Sequence, residues 1–309
     1  MKQALAKGAG SNSTIFSKFV VHYSDMQKGR RLPEWLKMQR ASGENYSRVK
    51  RIVEDNKLHT ICISGNCPNI GECWNAGTAT FMILGDVCTR ACRFCATRTG
   101  KPLSPDPEEP ARLAAGIRLL GLKHCVITSV DRDDLPDRGS SFWAETIRMI
   151  KQENPGITME TLIPDFDGVE AYIKLVIDSF PDIISHNIET VRRLTPLIRT
   201  KARYDTSLRV LRILSENGVR TKSGFMVGLG ETDQEVANTI KDLHVAGCSI
   251  LTIGQYLQPT MDHMEAVSFV TPAKFDEYRK MALAEGFSYV ECHPLVRSSF
   301  HSEKQMNIN

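Results

Sequence analysis

The sequence predicts an α/β protein: a partial, TIM-like (βα)6 barrel with N-terminal and C-terminal extensions covering the barrel mouth. Three observations predict it. From residue 80 onward, short apolar runs alternate six times with longer amphipathic stretches, the pattern of a parallel sheet with helices outside. The runs are nearly continuous rather than alternating in apolar residues, as strands buried on both faces are. Polar groups follow the runs: Asp131-Arg132-Asp133-Asp134, Asp165, Asn187 with Glu189, Gly230-Glu231 and Gln258. Barrels place their chemistry on the loops leaving the C-terminal strand ends, and such loops suit one shared site better than the single crevice of an open doubly wound sheet.

The elements follow in order. Residues 1–50 hold ten Lys/Arg and three Asp/Glu, so residues 1–55 read as a basic arm with short helices near 33–40, entered through Pro33, and 45–58. The arm suits solvent or an acidic macromolecular partner. With no acidic residue before Asp25 it also resembles a transit peptide, although it is Lys-rich rather than Arg-rich. Within residues 56–79, the Gly-, Asn-, Pro- and Cys-rich stretch 62–77 reads as an irregular loop. The barrel spans 80–288. Its expected strands are 80–85, 124–130, 157–163, 182–188, 221–229 and 249–257. Helical patterns cover 110–121, 140–153, 168–179, 205–217, 232–246 and 272–285. Residues 289–309 form a C-terminal segment.

The 309 residues are 41% hydrophobic and 24% charged, ordinary globular values. No run approaches eighteen apolar residues, so no transmembrane helix and no membrane partner are expected. No secretory signal pattern opens the chain. Net charge is +3, and no basic module follows residue 260, so nucleic acid is not an expected partner. Nine cysteines are an odd number, and six of them crowd into residues 62–95. That favours metal over disulfides. Cys125, Cys248 and Cys292 lie in or beside apolar stretches and read as core.

Cys88, Cys92 and Cys95 form a C-x3-C-x2-C motif directly after the first barrel strand. Three thiolates on a four-iron cluster leave one iron open to a small molecule. Zinc is the alternative, but no nearby His or fourth Cys completes its tetrahedron. Cys62, Cys67 and Cys73 form a C-x4-C-x5-C motif, again one ligand short of four. That fourth ligand has to come from far along the chain.

The C-x3-C-x2-C motif at a barrel mouth, with Phe94 before its last cysteine, resembles the radical S-adenosylmethionine superfamily. CPNIGECW at 67–74, GDVCTRACRFC at 85–95, TSVDRDDLPDRG at 128–139 and VRSSF at 296–300 together resemble the lipoyl synthase family, over about Pro33 to His301. The resemblance implies two [4Fe–4S] clusters. One, on Cys88, Cys92 and Cys95, binds and cleaves S-adenosyl-L-methionine. The auxiliary one, on Cys62, Cys67 and Cys73, takes Ser299 as its fourth ligand, with Ser298 as the alternative. Phe300 stands where the family has Tyr. The radical removes hydrogen from C6 and then C8 of a protein-bound octanoyl-lysine, and auxiliary sulfide is inserted at each carbon to give lipoyl-lysine.

Thr128, Ser129, Asp131, Glu160, Asn187 and Glu189 match positions expected to face the cofactor. Gly228 and Gly230 would let the backbone approach it, while Lys222 reads as a strand-edge residue and His186 as core. Arg199, Arg203 and Arg297 are candidates to pair with a carboxylate or a carrier surface. Implied partners are octanoylated lipoyl domains or the glycine-cleavage carrier protein, an electron donor such as ferredoxin or flavodoxin, and a cluster-assembly carrier. Cluster chemistry implies a reducing compartment: cytoplasm, or an organelle matrix if the N-terminus is a transit peptide. The rival readings are another radical enzyme with an auxiliary cluster, acting on a peptide or RNA, and a non-enzymatic cluster carrier.

Overall fold

A computed structural model describes residues 32–37 and 41–307; of the basic arm and short helices expected over residues 1–55, residues 1–31 and 38–40 lie outside the described residues. Of the short helix expected at 33–40, one 3-10 turn is described, Glu34–Leu36. Helix α1 (Glu44–Asp55) follows, then β1 (His59–Thr60). The expected irregular loop instead contains two short helices, α2 (Ile61–Ser64) and α3 (Ile70–Asn75). The Thr60 side chain caps α2 by accepting from Ile63 N, a local signal that the density of Gly, Asn and Pro obscured.

The barrel begins with β2 (Thr80–Ile83). A two-residue clasp, β3 (Val87–Cys88) against β4 (Arg98–Thr99), closes the loop after it. Then come α4 (Glu109–Leu120), β5 (His124–Ser129), α5 (Ser140–Glu153), β6 (Thr158–Leu162), α6 (Glu170–Ile177), β7 (Ile183–Ser185), α7 (Thr195–Ile198), α8 (Tyr204–Glu216), β8 (Thr221–Val227), α9 (Asp233–Val245), β9 (Ile250–Gln255), α10 (Pro272–Glu285) and β10 (Tyr289–Cys292). The helix limits have local causes. Thr232 and Glu235 form a capping box at the start of α9. Pro272 starts α10, and left-handed Gly286 stops it.

The sheet order is β1-β2-β5-β6-β7-β8-β9-β10. Every pairing is parallel except β1 with β2. All six expected strands are present. β10 is a seventh parallel strand, inside the stretch 289–309 expected as a C-terminal segment. Its four residues follow α10 after a three-residue turn, too short a run to stand out from its surroundings.

Outward side chains of the first strands (Phe81, Ile127, Met159, Ile184) pack on Ile117, Trp143, Ile147 and Ile173 of the helices. Those of β8 and β9 (Phe225, Leu251, Ile253) pack on Val236, Ile240 and Phe275. Each such side chain contributes about 1.5–3 kcal/mol by leaving water. Inward side chains are more polar. Lys222 Nζ meets Glu160 Oε2 at 2.8 Å, both wholly buried, and Ser185 Oγ donates to Glu160 Oε1 at 2.9 Å. Lys222 therefore lies inside the barrel, on a strand flanked by β7 and β9, and not at a sheet edge.

The C-terminal segment does not simply lid the mouth. Arg297 reaches Gln255 O at 3.3 Å and Ser298 reaches Asn187 at 3.1 Å, beside C-terminal strand ends. From there the chain runs to the opposite end: Ser299 meets Thr80, Ser302 meets His124, and Arg220 donates to Gln305 O. Thr80 and His124 open β2 and β5, so the cysteine-rich extension and the chain end cluster at the N-terminal strand ends. The expectation of two extensions over the mouth is corrected accordingly.

Candidate active site

The loop carrying Cys88, Cys92 and Cys95 leaves β2 at the C-terminal end of the sheet. Thr89 N and Oγ1 both donate to Asp131 O, at 3.0 and 2.9 Å. Arg93 N donates to Ile198 O at 2.8 Å, Met264 N to Arg93 O at 3.0 Å, and the His263 Nε2 to Cys95 O at 2.9 Å. The loop is thus tied to the segments following β5, β7 and β9. The Cys88 sulfur accepts from Arg90 N at 3.4 Å and Asp131 N at 3.3 Å. Backbone N–H groups also reach Cys92, from Thr200, and Cys95, from Thr97. Burial pushes the Cys88 thiol up to about 11 and the Cys92 thiol up to about 12, with the Asp131 carboxylate adding to both.

Arg90, which sequence reasoning passed over, holds this loop. It grips Asp133 with two hydrogen bonds of 2.9 Å and Asp165 with two of 2.8 Å, and stands 3.3 Å from Asp131. Its side chain is 4% exposed. Burial opposes ionisation of Asp165, yet the paired Arg90 bonds overcome it and hold that carboxyl well below its usual range. Burial wins at Asp131, which is raised to about 6 against the pull of Arg90.

The expected cofactor contacts separate. Asp131 lies beside Cys88. Glu189 lies within electrostatic reach of Cys95, Arg199 and Asp131, and Asn187 is near enough to favour its carboxylate. Thr128 faces inward and donates to Leu162 O at 3.1 Å. Ser129 faces outward instead, accepting from Trp143 Nε1 at 3.1 Å, because successive strand residues alternate faces. Glu160 is occupied by Lys222 and Ser185 rather than turned to the mouth. Gly228 does make room for a close approach, but of Gln255: a Cβ there would lie 2.1 Å from Gln255 Nε2. His186 is core, its ring held by Ile163 O and Ser207 Oγ at 2.9 Å each. Arg199 is buried and donates to Ser207 Oγ at 2.8 Å. Cys125, Cys248 and Cys292 are buried.

A second cavity lies toward the N-terminal strand ends. Cys62, Cys67, Cys73, Thr80, His124, Arg297, Ser299 and His301 are among its lining residues. Asn69 Nδ2 donates to Leu295 O at 2.8 Å, fastening the cysteine segment to the C-terminal segment. Ser299 Oγ accepts from Thr80 Oγ1 at 2.7 Å. Ser298 does not line the cavity. The Phe300 ring stacks on His301 at 3.8 Å. Burial pushes the Cys62 and Cys73 thiols up to about 12, and mutual repulsion within the trio adds to it. Trp74 Nε1 is buried without a hydrogen-bond partner, yet it lies near enough to Cys62 to favour its thiolate.

These donor sets fit iron–sulfur clusters. Soft thiolates and N–H groups aimed at sulfur are what such clusters take, and bound iron reverses the penalty that burial places on a thiolate. Among the described residues, no three His, Cys, Asp or Glu side chains converge tightly enough for one metal ion. A cubane instead spreads its ligands over separate corners.

Fold and cysteine loop together define a radical S-adenosylmethionine enzyme: residues 82–243 match the model of the Radical SAM superfamily. Solved structures share the fold: a methylornithine synthase (TM-score 0.52, 12% identity, 81% of this chain and 79% of that one), and Streptococcus suis SuiB bound to precursor peptide SuiA (TM-score 0.55, 8% identity, 80% and 52%). Residues 14–67 match the N-terminal domain of lipoyl synthase. A lipoyl synthase of Bacteroides fragilis is 57% identical over 279 residues, 90% of this chain and 97% of that protein. That of Treponema denticola is 50% identical over 281 residues, 91% and 97%. The chain belongs to the lipoyl synthase family.

Proposed function

We propose that the chain holds two [4Fe–4S] clusters and inserts sulfur at C6 and C8 of a protein-bound octanoyl-lysine. The cavity joining Cys62, Cys67 and Cys73 to Ser299, across more than two hundred residues, carries this reading. A barrel that needed one cluster to cleave its cofactor would have no use for a second thiol site with a built-in oxygen donor. When bound, the clusters and S-adenosyl-L-methionine supply the electron, the hydrogen-abstracting radical and the sulfur.

The chain's own residues do the rest. Cys88, Cys92 and Cys95 hold one cluster and leave one iron for the cofactor. Asp131, Asn187 and Glu189 line its mouth, and Thr128 stands on the inner face below. Cys62, Cys67, Cys73 and Ser299 hold the other. A serine oxygen is a hard, weakly matched ligand among thiolates, which suits an iron that leaves as sulfide is given up. Strand β2 is four residues long, so its ends are about 10 Å apart. An octanoyl chain is of the same order, so its outer carbons fit in the space between the two sites.

The substrate is an octanoylated lipoyl domain or glycine-cleavage carrier protein, and a ferredoxin or flavodoxin supplies electrons in a reducing compartment such as the cytoplasm. A cluster-assembly carrier rebuilds the auxiliary site. Among the described residues, no helix is long and apolar enough to cross a membrane. The test is anaerobic incubation of the reconstituted protein with reductant, S-adenosyl-L-methionine and an octanoyl-lysyl peptide. A dithiolated peptide is expected. Cofactor cleavage without sulfur insertion would reject the reading in favour of another radical reaction.

A further inference from the structure

Ser298 and Ser299 are neighbours in sequence but belong to different sites. Ser298 Oγ donates to Asn187 Oδ1 at 3.1 Å, whereas Ser299 Oγ accepts from Thr80 Oγ1 at 2.7 Å in the cysteine cavity. Asn187 in turn lies near enough to Glu189 to favour its carboxylate, and Glu189 stands within electrostatic reach of Cys95. The backbone beside Asn187 is tied to β8. Glu189 N donates to Gly224 O at 3.1 Å and Met226 N to Glu189 O at 2.9 Å. A Cβ on Gly224 would lie 3.2 Å from Asn187 Oδ1 and 2.2 Å from Thr252 Oγ1, so the amide fits a slot that only glycine leaves open.

We propose that Ser298 is a positioning residue that couples occupancy of the mouth site to the placement of Ser299 at the auxiliary site. This rests on the two-cluster reading above. Consecutive Cα atoms are about 3.8 Å apart across a planar peptide. With the backbone beside Asn187 held, a turn of its side-chain amide toward a bound cofactor breaks or remakes the Ser298 contact and is felt one residue on, at Ser299. The arrangement keeps the serine oxygen seated until a cofactor is in place, and so limits futile loss of the sulfur source.

The test uses the reconstituted full-length protein. S-adenosyl-L-methionine is expected to change the electron paramagnetic resonance signal of the auxiliary cluster in the intact enzyme, with a Cys88/Cys92/Cys95→Ala protein as the control. Only the intact enzyme should respond. Ser298→Ala should keep its iron and sulfide content and its cofactor-free signal, but lose that response. It should also cleave about two- to tenfold more cofactor per sulfur inserted, the range expected for loss of one hydrogen bond. Ser298→Thr, which keeps the hydroxyl, should restore both. A Ser298→Ala protein with wild-type response and wild-type ratio overturns the proposal, as does loss of its auxiliary iron, which would make Ser298 a ligand. A wild type holding a single cluster overturns the two-cluster reading instead.

Discussion

Arg90 shows how much can depend on one side chain that the motif around it hides. It lies between the first two cysteines of the loop, and its guanidinium is buried against Asp131, Asp133 and Asp165. Breaking a buried pair leaves uncompensated charge and costs about 3–5 kcal/mol. Arg90→Ala should lose that much in urea unfolding and should retain less iron on reconstitution. Arg90→Lys keeps the charge but not the double fork, and should fall between. An Arg90→Ala protein as stable and iron-replete as wild type would contradict the assignment. The six cysteines stand out in the sequence because their spacing is itself chemistry. Arg90 was not, although the aspartates after the second and third strands each needed a cation, and that need was the signal available. Ser129 and Glu160 were misplaced for related reasons: strand alternation put one on the outer face, and a lysine two strands away claimed the other.

Between elements, the Lys222–Glu160 pair joins β8 to β6 through the barrel interior. Lys222→Met alone should destabilise by about 3–5 kcal/mol, while Lys222→Met with Glu160→Leu should recover most of that loss. A thermodynamic double-mutant cycle reads the difference, and additive losses would show that the pair is not coupled. Gly228→Ala places a Cβ 2.1 Å from Gln255 Nε2 and 2.6 Å from Ser268 O at φ +97°. It should cost about 1–3 kcal/mol, measured as a lower urea midpoint at unchanged slope. Strands and helices from residue 80 to 285 were legible because the period of the apolar residues changes at each boundary. β10, α2, α3, α7 and the β3–β4 clasp were not, since two to six residues are too few to show a period. Nor did local sequence say at which end of the sheet the extensions lie, because contacts such as Thr80–Ser299 span more than two hundred residues.

At the scale of the whole molecule, buried histidine sets an acid limit. Burial, aided by Arg199, holds His186 down to about 4 from an ordinary 6.5, while Asp165 pulls the other way and Arg90 opposes it. Between those values the unfolded chain binds a proton that the folded one refuses. Stability should therefore fall as pH drops from about 6.5 to about 4, by up to about 3 kcal/mol. His186→Gln should flatten that part of the profile, and an unchanged slope would place the effect elsewhere. Asp165, held low by Arg90, adds its own loss only below its ordinary value of 3.8. The central claim is that this fold carries two clusters on two cysteine trios at opposite ends of one short sheet. Iron and sulfide counting after anaerobic reconstitution tests it most directly. Wild type should hold about eight irons, and the Cys62/Cys67/Cys73→Ala and Cys88/Cys92/Cys95→Ala proteins about four each. A first triple variant that still holds the wild-type number would contradict it.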